Sequence, residues 1–543
     1  MFIGMGRALA LAISILCVST SATPENGESA TSRHTPKILV YNPRFAHSHS
    51  NFMGMIADVL AEEGHDVTSL IPILYPPYKD GTTKSRIIHI EGNPETVAYF
   101  DAAMNSAGDM SKIWLGSSED PSAMLVQTPM LRRVFSEQCA ATIRHPGLID
   151  RLTNEHFDVV IAENFDFCGI GLFHLIKARS LILTSSTNAF DYQLYQMGAP
   201  LAASHVPASF GVLMEEMTMW QRLKNLYLLY ANIQCFSQIE AGVEAALKGI
   251  YGEEFPALGE ITANASFLLT NTDPLADFSR PTLRNIVDIG GLGVRAKQSL
   301  SKEWEEILSR RRRSFVVSFG TVSRAFLMPD EFKRALVSAF ARFDDTTTFI
   351  WKYEKDASTL PLSADNVVLA KWMPQNDLLY DPRVVGILSH GGKGSVAEAA
   401  EHGIPALFVP LFADQPRNAA AAAHLGVGRV INKQQLSDED AIAAAVNEIL
   451  ENDDLRQAAR ALQQTLAGRP FLARELLTRT VTFAARYGPQ RSLEYSGRKL
   501  SFLAFHNLDL LLLVELLLVL FLITICLGLK SILSRSSVKQ KRQ

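Results

Sequence analysis

Cysteine is scarce, with five residues in a chain of 543, and no Cys or His spacing resembles a metal-binding pattern. That excludes a disulfide-built scaffold and gives no support to a structural zinc site. Cys17 and Cys526 fall in apolar terminal stretches. Cys139, Cys168 and Cys235 remain, an odd set that allows at most one disulfide and does not say which. Surplus positive charge is also lacking. The formal net charge of -4 offers no basic field, so nucleic acid is not an expected partner. Internal repeats and low-complexity tracts are absent, and long apolar runs occur only at the two ends.

The first of those runs follows Arg7, extends from Ala8 to Val18 and meets small residues up to Ala22. This is the layout of a secretory signal peptide over residues 1–22, cut after Ala22. A polar lead-in, Thr23 to Thr35, follows. The second run, Leu508 to Leu529, is interrupted only by Asp509 and Glu515 and is long enough to span a bilayer. The tail at 530–543 carries Lys530, Arg535, Lys539, Lys541 and Arg542 without an acidic residue, which predicts a cytosolic tail and a lumenal or extracellular main body. Asn264-Ala-Ser266 is the one glycosylation sequon.

Between these ends, 47% apolar and 20% charged residues suit a folded chain too long for one core. Lys37 to Tyr41 reads as a strand, about Ser50 to Glu63 as a helix ending at Gly64, and Val67 to Ile71 as a second strand. Asp158 to Ala162 and Leu181 to Thr184 repeat the theme. A Pro- and Gly-containing section, Thr270 to Ala296, reads as a hinge. Strands then resume at Phe315–Ser318, Thr348–Trp351, Val367–Leu369, Val385–Leu388 and Ala406–Phe408, with helices from about Pro329, Asn376, Ser395 and Gln415. The expected fold is α/β: two doubly wound, parallel-sheet, Rossmann-like domains at 36–280 and 297–470 facing a cleft, then returning helices at 471–507 and a transmembrane helix at 508–529.

Leu388-Ser-His-Gly-Gly-Lys-Gly-Ser395 sits at a strand-to-helix junction, where backbone N–H groups and a helix N-terminus converge on one spot and suit a phosphate. Trp372 and Gln375 stand just upstream, at the end of the Val367 strand. They offer a flat aromatic face and an amide that both donates and accepts. Glu398 lies near the start of the following helix, and Asp414-Gln415 follows the next strand. A platform for a base, amides for phosphate and several hydroxyl-binding groups are what a nucleotide-sugar requires.

From Trp372 through Gln415 the chain resembles the UDP-glycosyltransferases of the membrane-bound animal type related to UDP-glucuronosyltransferases. The resemblance covers nearly the whole chain, including Ser318-Phe-Gly-Thr321 and the two ends. It implies a two-domain glycosyltransferase fold of the GT-B type. It also implies that Trp372 stacks on uracil, Gln375 bonds the uridine and Glu398 holds ribose hydroxyls. His390 with Gly391 and Gly392 would meet the diphosphate, Gly320 and Thr321 would lie along it, and Asp414 and Gln415 would bond the transferred sugar. The family's Asn in His-Gly-Gly-x-Asn-Ser is Gly394 here, which leaves Ser395 and the backbone as donors, with Lys393 as a source of charge.

By the same resemblance the catalytic histidine is His49, in the loop after the first strand, with Gly64-His65 at the matching later spacing; the nearby His47 is out of register. Its partner is expected after Phe157-Asp-Val, where the family's Asp is replaced by Glu163, with Asp166 as a second candidate. An imidazole there takes a proton from an acceptor hydroxyl. No Asp-x-Asp pair follows a strand, and Asp344-Asp345 reads as a solvated turn, so no metal or other cofactor is expected. The expected substrates are UDP-glucuronic acid or UDP-glucose and a small lipophilic hydroxyl compound. Lys539 and Lys541 resemble a retrieval signal of the endoplasmic reticulum, which places a single-pass enzyme in that membrane. The sequence leaves homo-oligomerisation open. Two rivals stand beside this reading: a lumenal UDP-sugar-binding protein without turnover, and an oxidoreductase using Ile289-Gly-Gly-Leu-Gly293 as a dinucleotide loop, though that run shows no clear preceding strand and lacks the third glycine.

Overall fold

Two all-parallel sheets organise the chain. The computed structural model describes residues 35–105, 113–117, 122–295 and 297–540; the expected signal peptide at 1–22, and Lys541 and Arg542 of the expected tail, lie outside them. From Pro36 onward the chain forms one compact unit. The first sheet holds β1 (Lys37–Tyr41), β2 (Asp66–Ile73), β3 (Arg86–Glu91), β4 (Val159–Glu163), β5 (Ser180–Ser185), β6 (Phe267–Thr270) and β7 (Ile286–Asp288), in the order 3-2-1-4-5-6-7. The second holds β8 (Arg313–Ser318), β9 (Thr347–Lys352), β10 (Val367–Ala370), β11 (Val384–Ser389), β12 (Ala406–Phe408) and β13 (Gly428–Val430), in the order 10-9-8-11-12-13. Strands such as Ile38-Leu-Val40 and Phe315-Val-Val317 are wholly buried, because helices cover both faces of each sheet. The strand order reverses between β1 and β4 and again between β8 and β11. At such reversals a crevice opens outside the carboxyl ends of the strands.

The helix His47–Glu62 lays Phe52, Met53, Ile56 and Leu60 on one face of the first sheet. Beside it packs the helix Ala473–Tyr487 through Leu477, Val481 and Ala484. The chain therefore builds the second sheet and then returns to close over the first. On the opposite face the helices Ser122–Ile143 and Met219–Tyr251 pack together, and Cys139 is bonded to Cys168. That fixes the pairing left open by the sequence; Cys235 is a buried free thiol.

Some elements depart from the sequence reading. The helix after β1 begins at His47 rather than near Ser50, so His47 and His49 lie in its first turn, not in a loop. Apolar periodicity begins only at Phe52, and a first turn whose N–H groups lack intrahelical partners readily takes polar residues without announcing itself. The Thr270–Ala296 section contains β7, a three-residue, half-buried strand. The glycine run Ile289–Gly293 does follow that strand, but the next helix starts only at Lys302, so a dinucleotide pyrophosphate would have no helix N-terminus to meet. The helix Leu508–Gln540 contains the only stretch among the described residues long and apolar enough to cross a membrane, Leu508–Ser531, with mean hydropathy 3.1.

Candidate active site

Both reversal points contribute to one cleft. β1 leads through Phe45 into the first helical turn, which presents His49, and β4 ends on Glu163. His49 Nδ1 lies 2.8 Å from Glu163 Oε2 and 2.9 Å from the Ser186 hydroxyl at the end of β5. The Ser186 backbone N–H donates to the other Glu163 oxygen at 2.9 Å. Burial pushes the Glu163 carboxyl up, but the His49 charge, the His49 hydrogen bond and the two Ser186 bonds outweigh it and hold the group below its ordinary value. An ionised Glu163 thus fixes the Nδ1–H tautomer and leaves Nε2 to act as a base. Phe45 and Phe165 pack on the ring, each with its centroid 4.8 Å away.

Asp166, the second candidate partner, does not bond His49. It faces Tyr41, and burial together with the Glu163 charge raises it to about 8, so it is a neutral acid at pH 7. His47 is set apart as well: its Nε2 meets Asn51 at 3.0 Å, and its ring meets Trp372 edge-on at 5.4 Å. That contact bridges the two sheets' halves.

On the second half, β8 runs into Gly320-Thr321 and β11 into His390-Gly-Gly392. The His390 ring lies between Gly320 and Gly392. A Cβ on either glycine would fall 2.6 Å from His390 Nε2, so only glycine admits the ring. Burial and the Lys352 charge press His390 down to about 4, with the Ser318 backbone offsetting only part. His390 is therefore neutral and offers a ring N–H rather than a charge. Gly391 N–H is already used, donating to Ser389 Oγ at 3.2 Å. The amides available to an anion are those of Lys393, Gly394 and Ser395, in the first turn of the helix Lys393–His402, whose N-cap is Gly392. Gly394 is exposed and has open space beside it. Lys393 is not aimed only at a ligand; it pairs at 3.4 Å with Asp277, which also holds buried Arg417 at 2.6 Å.

Trp372 remains 61% exposed at the end of β10, as a stacking platform must. Gln375 opens the helix Gln375–Leu379, and its Nε2 donates to Ser395 Oγ at 2.9 Å and Glu398 Oε2 at 2.6 Å. Burial raises Glu398 to about 7. Asp414 and Gln415 follow β12 through Ala413, which holds a left-handed φ of 56°. Gln415 Oε1 accepts the Leu411 and Phe412 N–H groups at 3.0 and 3.2 Å, and Asp414 accepts from Asn418 at 2.7 Å. Burial raises Asp414, while Asn418, Lys393 and His49 lower it; the His49 charge reaches it from across the cleft. Among the described residues no group of three or more His, Cys, Asp or Glu side chains could hold a metal ion.

Two further residues here, Lys352 and Ser186, belong to no sequence motif. Lys352, the last residue of β9, donates to the Gly320 carbonyl at 2.5 Å, and its charge bears on both His47 and His390. Ser186 completes the His49–Glu163 triangle. Each stands at or just past the carboxyl end of a strand, which is the signal that could have found them.

Two doubly wound sheets with an imidazole–carboxylate pair at one reversal and a phosphate-suited helix N-terminus at the other define a nucleotide-sugar-dependent glycosyltransferase of the GT-B type. The family model described as "UDP-glucoronosyl and UDP-glucosyl transferase" matches residues 36–543, and the chain belongs to that family. It is 27% identical over 521 residues to the Caenorhabditis elegans protein named "Putative UDP-glucuronosyltransferase ugt-48", covering 93% of this chain and 96% of that one. It is 28% identical over 436 residues to UDP-glucuronosyltransferase 3A1 of Bos taurus, covering 78% and 80%. Among solved structures, the calicheamicin glycosyltransferase CalG4 aligns with a TM-score of 0.56 at 18% identity, covering 84% of this chain and all of CalG4; that likeness concerns the fold. The protein is a UDP-glycosyltransferase.

Proposed function

We propose that this enzyme transfers glucuronic acid or glucose from its UDP-linked form to a small lipophilic hydroxyl compound, in one displacement that inverts the anomeric carbon. The observation that carries the reading is the 2.8 Å contact between His49 and buried, ionised Glu163, opposite the turn that holds His390. The acceptor O–H gives its proton to His49 Nε2 as its oxygen bonds the anomeric carbon. The bond from that carbon to the phosphate oxygen breaks, and UDP leaves with the electron pair. Glu163 stabilises the imidazolium so formed. The helix N-terminal amides, the neutral His390 N–H and Lys352 take up charge on the departing diphosphate, so the reaction proceeds without a metal.

A lipophilic acceptor is favoured by the aromatic surroundings of His49. Phe45 and Phe165 touch the imidazole, and Phe236, Phe190 and Phe210 continue the cluster with centroids 5.2 to 5.6 Å apart. Glu163 in place of the family's Asp and Gly394 in place of its Asn are the departures behind the rival of a binder without turnover; the direct bond of Glu163 to His49 supports turnover, and Gly394 bears on donor affinity. The Leu508–Ser531 helix holds the enzyme to the endoplasmic-reticulum membrane as a single span, with the catalytic part lumenal. Purified protein offered UDP-glucuronic acid, UDP-glucose and a panel of phenols tests the reading. UDP release with a product of the added sugar mass and inverted configuration is expected, unchanged by EDTA. Release of no UDP with any pair, or a retained anomeric configuration, would overturn it.

A further inference from the structure

The helix Met219–Tyr251 is buried along one side by Asn225, Leu228, Asn232 and Cys235. Its first three turns, however, expose Met219, Trp220, Leu223, Leu226, Tyr227 and Tyr230, each more than half accessible and Trp220 72%. At about 100° per residue these six fall within an arc of roughly 120°. Arg222 and Lys224 flank the arc, one on each side. Water contact for so large an aromatic and aliphatic face is costly, and contiguous patches of this kind mark a surface meant for something else. The stretch from Phe190 to Trp220 is rich in Met, Leu, Tyr and Phe. Phe190, Leu194, Met197 and Phe210 are buried, but the stretch ends on this open face.

We infer that this face lies in the interfacial layer of the bilayer that the Leu508–Ser531 helix enters, an inference resting on the anchoring proposed above. Trp and Tyr favour the headgroup level because one end of each ring is apolar and the other polar. A flanking Arg such as Arg222 lets its stem lie along lipid while its charge reaches phosphate. The path of the chain puts the face within reach. The segment leading to the span docks where Arg498 and Tyr495 meet Gly198, at the end of the helix Asp191–Met197. From Leu500 to Leu508 is eight residues, at most about 28 Å when extended, and Leu500 and Leu503 are exposed. From Gly198 the backbone reaches Ala203 and Val206, whose carbonyls accept from Asn225 at 2.8 Å, directly behind the exposed face. The docking point of the anchor and the aromatic face are thus joined by a short path along the chain. A face held in lipid would also set the acceptor side of the cleft beside the phase in which lipophilic acceptors dissolve.

The test uses the full chain in nanodiscs of phosphatidylcholine, with or without bromine on the acyl chains, reading tryptophan emission. Bromine quenches by contact, and of the five tryptophans Trp114 and Trp351 are buried in the protein core. A loss of emission in brominated discs is expected, most of it absent in Trp220→Phe. UDP binding by Trp220→Phe, which is remote from the site, reports that the variant is folded. Should that variant fail to fold, a bimane-labelled Leu223→Cys in a Cys526→Ser background gives the same reading. Equal quenching in wild type and Trp220→Phe, or an unquenched bimane, overturns the inference. So does disulfide cross-linking of Met219→Cys between copies without quenching, which would make the occupant a second chain. Extraction by alkaline carbonate separates the two levels: protein released from membranes sinks the anchoring itself, whereas protein retained with Trp220 unquenched sinks only the interfacial face.

Discussion

At the scale of single residues, two carboxyls three positions apart have opposite states, and that difference is testable. Glu163 is ionised because His49 and Ser186 compensate its burial; Asp166, also buried, keeps its proton up to about pH 8. Glu163→Gln preserves size but removes the charge that stabilises an imidazolium, so kcat should fall on the order of 100-fold or more. Asp166→Asn replaces a neutral acid by a neutral amide and should leave turnover at pH 7 near wild type. Equal losses in both variants would remove the pair from the mechanism. Asp166 also predicts a stability slope. Between the ordinary Asp value and about 8 the native state binds a proton that the unfolded chain has released, so stability falls as pH rises through that window. Thermal midpoints measured from pH 5 to 8 should decline less steeply in Asp166→Asn. Glu398, raised to about 7, gives a binding counterpart. The family resemblance assigns Glu398 to the ribose hydroxyls, which donate better to a carboxylate than to the acid; on that role UDP affinity should rise as pH increases from 6 to 8, and Glu398→Gln should flatten that rise in calorimetric titrations. At Gly394 an added side chain meets open space. Gly394→Asn should therefore tighten UDP binding by about 1 kcal/mol, the worth of one hydrogen bond, or roughly fivefold; unchanged or weaker binding would sink that expectation.

At the scale of elements, the strands were legible and their edges were not. β1, β8, β11 and β12 announced themselves because both faces are covered, leaving unbroken apolar runs such as Lys37-Ile-Leu-Val-Tyr41. β3, with alternating exposure in Arg86–Glu91, and β7, three half-buried residues, carried too little pattern to stand out. The second half of the site was legible through its glycines and its family order. His49 was found for its register, but its position in a helical turn was not, because the apolar face of that helix starts three residues later. Ser186 and Lys352 were missed because a lone hydroxyl and a lone lysine have no local signature; only the sheet order brings them to the cleft. The turns around His390 predict a steric outcome. Gly392→Ala would place a methyl group 2.6 Å from His390 Nε2, so the imidazole would have to leave its present position. UDP affinity should fall more than tenfold while the circular dichroism of the folded protein is retained; near-wild-type affinity would show that the ring does not depend on this packing.

At the scale of the whole molecule, chemistry requires that the half holding His49 and the half holding the donor stay in register across the cleft. Several contacts do this away from the reacting groups. Arg324, in the loop after β8, donates to Tyr75 at 2.6 Å and to Asn105 at 2.5 Å on the first half. Lys433 reaches the Ile113 carbonyl at 2.7 Å, and Ala413 and Val322 pack against the core of the first sheet. The side chains that the family resemblance assigns to the donor, by contrast, all belong to the second half. Loosening the cross-cleft bonds should therefore cost turnover without costing donor affinity, because a shift of about 1 Å between reacting atoms can slow a reaction on the order of 100-fold. Arg324→Met tests this: UDP affinity should stay near wild type, while kcat falls and the acceptor KM rises. A variant that lost UDP affinity in parallel with kcat would mean instead that the first half contributes directly to holding the donor, and the division of labour between the two sheets would have to be redrawn.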